Sequence, residues 1–136
     1  MAPTGGGEAL EALLLCDAAV RDPRTGKWTL HGVFDAIWAN AFPAVHQSLD
    51  VYFRIRSGAP TALRLACRAP SGEHAVLASL SARPAPRGVV EGAVRVQRLP
   101  LAGPGDYRLE LDMAGRTLGA ATLTAALARP AGEPVH

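Results

Sequence analysis

His31 and Asp35 stand either side of Gly32, so a backbone turn at the glycine would bring an imidazole and a carboxylate together. Such a pair, or His31 with Asp17, has the make-up of a general base oriented by an acid. It would suit a small hydrolase or a ligand-binding protein. No serine or cysteine nucleophile occupies a defined position beside it, so no catalytic residue is assigned. Asp17 and Asp35 read better as anchors of loops at one end of the fold, because an unpaired carboxylate in a dry core is costly. His31, His46, His74 and His136 lack the spacing of a ligand cluster, and no His-Glu-x-x-His run occurs. Cys16 and Cys67 lie in apolar stretches without a Cys-x-x-Cys spacing and are expected to be buried free thiols. No cofactor and no metal are expected, and nothing specifies a small-molecule ligand.

Gly103-Pro104-Gly105-Asp106-Tyr107 resembles a phosphate loop in its glycines alone. It lacks the Gly-Lys-Ser or Gly-Lys-Thr ending and leads into a strand pattern, so no helix N-terminus would receive a phosphate. Tyr107 is expected to bury its ring and turn its hydroxyl to a loop carbonyl, as tyrosines at sandwich corners do.

Arg54, Arg56, Arg64 and Arg68, with Tyr52 among them, offer the best surface for a partner. Guanidinium groups bind carboxylates and phosphates bidentately, and the tyrosine can stack. Trp28, Phe34, Trp38 and Phe42 gather four of the seven aromatics in a short stretch. Trp38 and Phe42 are expected to line a loop at one end and to serve as contact anchors. The net charge is only +2. A protein partner or self-association through an open sheet edge is therefore the leading expectation, with nucleic-acid binding through the arginine face the weaker alternative.

The elements that must carry these residues read as strands. Leu49, Val51, Phe53 and Ile55 alternate with Asp50, Tyr52, Arg54 and Arg56, the period of a sheet covered on one side. Leu63, Leu65 and Cys67 repeat the pattern, and a turn at Ala59 would make the two runs a hairpin with Arg54 opposite Arg64 and Asp50 opposite Arg68. A helix is conceivable only over 8–19. The apolar run Ala12 to Cys16 and the following Asp-Pro turn favour a central strand there, hairpinned through Asp22–Lys27 to the strand at Trp28. The run Ala75 to Ala82 alternates with few β-branched residues and makes a weaker strand. Turns recur roughly every eight to twelve residues, which favours a sandwich or barrel. The expected fold is an all-β, two-layer antiparallel sandwich of about seven to nine strands with immunoglobulin-like or jelly-roll topology.

With 136 residues the chain suits one domain able to bury its own core. The expected division is a flexible leader over 1–8, a single domain over 9–129 and a flexible tail over 130–136. Aromatics make up 5% of the chain, so the core must be mainly aliphatic. No Lys or Arg precedes the first apolar region and Asp17 interrupts it, unlike a signal peptide. No apolar run approaches the length of a membrane span. A cytoplasmic protein with no membrane partner is expected.

The chain resembles a family of small, uncharacterised bacterial β-sandwich proteins. The resemblance is carried by Leu14-Leu15-Cys16-Asp17, by Thr29-Leu30-His31-Gly32-Val33-Phe34-Asp35-Ala36-Ile37, by Phe42-Pro43-Ala44 and by Pro104-Gly105-Asp106-Tyr107-Arg108-Leu109-Glu110-Leu111 with Gly115 and Leu118-Gly119. It implies a compact cytoplasmic sandwich and brings no chemistry that maps onto single residues. The expected function is a non-enzymatic interaction or structural module of a bacterial cytoplasmic system.

Overall fold

A computed structural model describes residues 9–128; the expected leader and the expected tail lie outside them. The described chain forms nine strands: β1 (Ala9–Arg21), β2 (Trp28–Val33), β3 (Ala36–Ala39), β4 (Ala44–Arg56), β5 (Thr61–Arg68), β6 (His74–Ala82), β7 (Val89–Leu101), β8 (Gly105–Met113) and β9 (Arg116–Leu127). One sheet has the order β2-β1-β4-β7 and the other β3-β9-β8-β5-β6. The all-β two-sheet fold and the strand at 9–21 are as expected. One pair departs from the antiparallel rule: β3 runs parallel to β9, from Ala36 beside Thr124 to Ala39 beside Leu127.

Alternation decides what is buried. Leu49, Val51, Phe53 and Ile55 of β4 are at most 2% exposed and face Leu63, Leu65, Leu109 and Leu111 of the second sheet across an aliphatic core. Two irregularities re-aim this pattern. A bulge in β1 between Leu10 and Ala12 inserts Glu11 as an extra residue, so that Leu10 and Leu13 both pack on the core. In β7, Arg98 takes φ 56°, and burial shifts phase from Val96 to Leu99 and Leu101. Tyr107 behaves as expected: it is 2% exposed, its hydroxyl donates to the Gly103 carbonyl at 2.7 Å and accepts from the Gly103 amide at 3.2 Å. Cys16 and Cys67 are buried free thiols, as expected, and burial, the chief cause, pushes both thiols above their ordinary pKa.

The β4–β5 hairpin does not form. β4 pairs with β1 and β7, whereas β5 pairs with β6 and β8 in the opposite sheet. The connection is an arch in which buried Ser57 donates its amide to the Gly88 carbonyl at 2.8 Å. Its hydroxyl and that of Thr61 both donate to the Ala59 carbonyl. These bonds carry the chain across the sandwich instead of back along β4.

Candidate functional site

The division of β4 from β5 splits the arginines between two outer faces. On the first sheet, the β1 bulge aims Glu11 at two of them: Arg54 Nε donates at 2.9 Å and Arg56 Nε at 3.1 Å. A bulge turns a side chain in this way because the added residue breaks the two-residue alternation. Glu91, opposite Arg54 in register, receives a second Arg54 bond at 3.4 Å and one from the Tyr52 hydroxyl. Burial first, and then the bond to Glu91, pushes the Tyr52 phenol up to about 12. Trp28 of β2 meets the Tyr52 ring edge-on at a centroid separation of 5.8 Å.

Farther along the same face, Asp50 is 4% exposed although alternation points it away from the core. β1 leaves β4 after the Cys16–Asp50 pair and continues with β2 alone. There the Ala19 amide donates to Asp50 Oδ2 at 2.7 Å, and Arg95 donates from Nε to Oδ1 at 2.8 Å and from its terminal nitrogen to Oδ2 at 3.1 Å. Burial would raise this carboxyl, but the Arg95 and Ala19 hydrogen bonds overcome it and hold Asp50 below its ordinary pKa.

Between the β1–β2 turn and β7 lies an open groove of about 590 Å3, lined by Lys27, Trp28, Tyr52, Arg54, Arg87 and Glu91 among others. Arg54 is engaged by carboxylates, whereas Lys27 and Arg87 form ion pairs with no described residue.

The second outer face alternates arginines with carboxylates. Arg64 reaches Asp112 at 3.5 Å. Arg68 and Arg108, directly opposite in register, share Glu110 at 3.6 and 3.0 Å, with His74 Nε2 at 3.7 Å on its other oxygen. The expected single arginine stripe is thus corrected to two sets on opposite sides of the sandwich, in each of which every arginine faces a carboxylate.

No hydrogen bond or ion pair joins His31 to Asp17 or Asp35. Asp17 lies opposite Gly32 between the Cys16–Val33 and Ala18–His31 pairs, and a Cβ on Gly32 would stand 2.2 Å from its Oδ2. Asp35 sits where the chain passes from β2 to β3, its carbonyl accepting from the Thr124 amide at 2.8 Å. Trp38 belongs to β3 instead of a loop and is 44% exposed, whereas Phe42 packs on the core. His46 lies beside Phe34 at 5.7 Å, and its Nε2 is buried without a partner among the described residues. Among the described residues no cluster of His, Cys, Asp and Glu could hold a metal, and no helix is long and apolar enough to cross a membrane.

Two features escaped the sequence reading. One is the groove, whose Lys27 and Arg87 come from turns far apart in the chain. The other is a strand edge without ladder partners, beside β9, where Leu10 lies against Gly119. Among the described residues, Ala9 to Leu15 of β1 pair with β4 on one side only, because β2 begins pairing at Cys16. The Phe34 amide closes this open stretch by donating to the Leu15 carbonyl at 3.0 Å. Alongside runs a crevice of about 470 Å3 lined by Leu13, Leu14, Val33, Phe34 and Ala121 among others, where Leu14 and Val33 are 39% and 56% exposed.

A model of a family of unknown function, DUF6941, matches residues 11–126. No curated protein matches. Among solved structures, the Pseudomonas fluorescens alkylpurine DNA glycosylase AlkC, bound to DNA containing an abasic site analog, aligns with a TM-score of 0.53 at 12% identity over 88% of this chain and 30% of that one. β-Glucosidase 3B from Thermotoga neapolitana, in complex with glycerol, aligns at 0.47 and 15% identity, over 62% of this chain and 15% of that one. Bifidobacterium dentium β-glucuronidase, complexed with coumarin-3-O-glucuronide, aligns at 0.42 and 11% identity, over 90% and 18%. The chain spans no more than 30% of the length of any of the three, and at these identities the likeness is one of fold alone.

Proposed function

The chain belongs to this family of unknown function, DUF6941, and we propose that it is a non-enzymatic interaction module that adds an extended segment of another protein chain to the unpaired edge of β1. The observation that carries this reading is the one-sided pairing of Ala9 to Leu15 beside the crevice at Leu14 and Val33. An added strand gains main-chain hydrogen bonds from such an edge and seats alternate side chains in the adjoining crevice. Natural proteins blunt open edges with proline, lysine or inward-pointing charge. This edge has the Glu11 bulge but no proline or lysine, and its only charge, Glu11, is committed to Arg54 and Arg56 on the outer face. A second copy of the chain is the simplest occupant, pairing β1 with β1.

The test is sedimentation across a concentration series, joined to amide exchange along Ala9–Leu15. Association that protects those amides and is lost in Leu14→Asp and Val33→Asp supports the reading. A chain that stays monomeric, with exchange along β1 unchanged by added cell extract, overturns it.

A further inference from the structure

We infer that the groove over Trp28 and Tyr52 is a second binding site, separate from the β1 edge, and that it takes an acidic peptide segment. The groove joins three parts of the chain: the Asp22–Lys27 turn, closed by bonds from the Asp22 amide to the Lys27 carbonyl and from the Gly26 amide to the Asp22 carbonyl; the outer side of β4 at Tyr52 and Arg54; and the turn at Arg87, closed by the Gly88 amide donating to Ala85. Its floor is aromatic and fixed, since Tyr52 is 8% exposed, bonded to Glu91 and packed edge-on against Trp28.

The cations on this rim differ from those of the two outer-face sets; Arg21, Arg83 and Arg98 also form no ion pair with a described residue but do not line the groove. Every other arginine in the two outer-face sets faces a carboxylate, whereas Lys27 and Arg87 face the groove without one. A glutamate or aspartate of a partner meets both requirements. Its carboxylate accepts from the planar fork of Arg87 and from Lys27, and its methylene stem lies against the Trp28 ring. The groove is open along its length and of a size that seats a few side chains, which suits an extended peptide.

Nucleic acid fits less well. A continuous polyanion needs a long cationic track, but Glu91 stands in the groove and Glu11 beside Arg54 at its edge. Only short, spaced negative charges can reach Lys27 and Arg87 without meeting those two acids.

Titration of a Trp38→Phe variant, which leaves Trp28 as the fluorophore, with a hexaglutamate peptide at low salt tests the assignment. The expected result is saturable change in Trp28 emission, weakened by added salt, with affinity reduced about tenfold or more in Lys27→Glu/Arg87→Glu, a loss of about 1.4 kcal/mol or more. Arg24→Glu, on the same turn but outside the groove, should bind as the parent does. Any one of three results overturns the inference: no binding of hexaglutamate, binding unaffected by the double substitution, or equal affinity for oligothymidylate or inorganic phosphate. Because association through β1 is read by sedimentation and by Leu14→Asp, either site can fail while the other stands.

Discussion

Asp50 shows what a single residue adds to, and hides from, a sequence pattern. Alternation along β4 placed its side chain on the outer face correctly, yet predicted a solvated position. The second half of β1 bends over that face and delivers the Ala19 amide and, with Arg95, a complete set of partners. A bend between strands distant in sequence leaves no local signature. Asp50→Asn should lose about 2 kcal/mol at neutral pH, the usual worth of charge-assisted hydrogen bonds to a buried acceptor. Because the folded pKa lies below the ordinary 3.8, the carboxylate stabilises the fold above that value. The contribution fades as pH falls through the lower, folded pKa. Urea denaturation of parent and variant should therefore differ at pH 7 and converge in strong acid; a constant difference at every pH would refute the assignment. Tyr107 was legible because its corner is local: ring, loop and acceptor lie within Gly103 to Tyr107. Tyr107→Phe should cost about 1 kcal/mol, seen as a drop of a few degrees in Tm.

At the scale of elements, strand positions and buried faces were readable, and the pairing of β1 with β2 followed from its turn. Which sheet received β5 was not. A run such as Leu63, Leu65, Cys67 buries the same residues whether it folds back on β4 or crosses to the facing sheet, so alternation is silent on the choice. The Ser57–Gly88 bond settles it, and Gly88 is thirty-one positions away. Gly32 carries a comparable constraint between β1 and β2. Its φ of +65° and the 2.2 Å approach to Asp17 leave no room for a side chain, which gives a steric reason for the pairing of the Cys-Asp and His-Gly motifs. Gly32→Ala should destabilise by about 2 kcal/mol or more, through left-handed backbone strain and displacement of Asp17. Gly72→Ala, at φ +93° with nothing near its added Cβ, isolates the backbone part. Equal thermal shifts for the two variants would show that Asp17 is not the obstacle.

For the whole molecule, the two sheets hold each other through an aliphatic core of two clusters bridged by Leu13, each built from both sheets: Leu49 of β4 and Leu65 of β5 are fully buried in one, Ile55 of β4 and Leu111 of β8 in the other. On the outer faces of the described residues, carboxylates and arginines pair across strands. The sheets should therefore unfold together. Each carries one tryptophan: Trp28 reports on the first sheet through β2, and Trp38 on the second through β3. Leu49→Ala and Leu65→Ala, one on each side, should each lose about 3 kcal/mol by leaving a cavity in that shared core. In single-tryptophan backgrounds, either leucine variant should shift the urea midpoints of Trp28 and Trp38 emission equally, with the circular dichroism transition coincident. A Leu65→Ala protein in which Trp38 unfolds well before Trp28 would show that the first sheet persists alone, and the single-core account would fail.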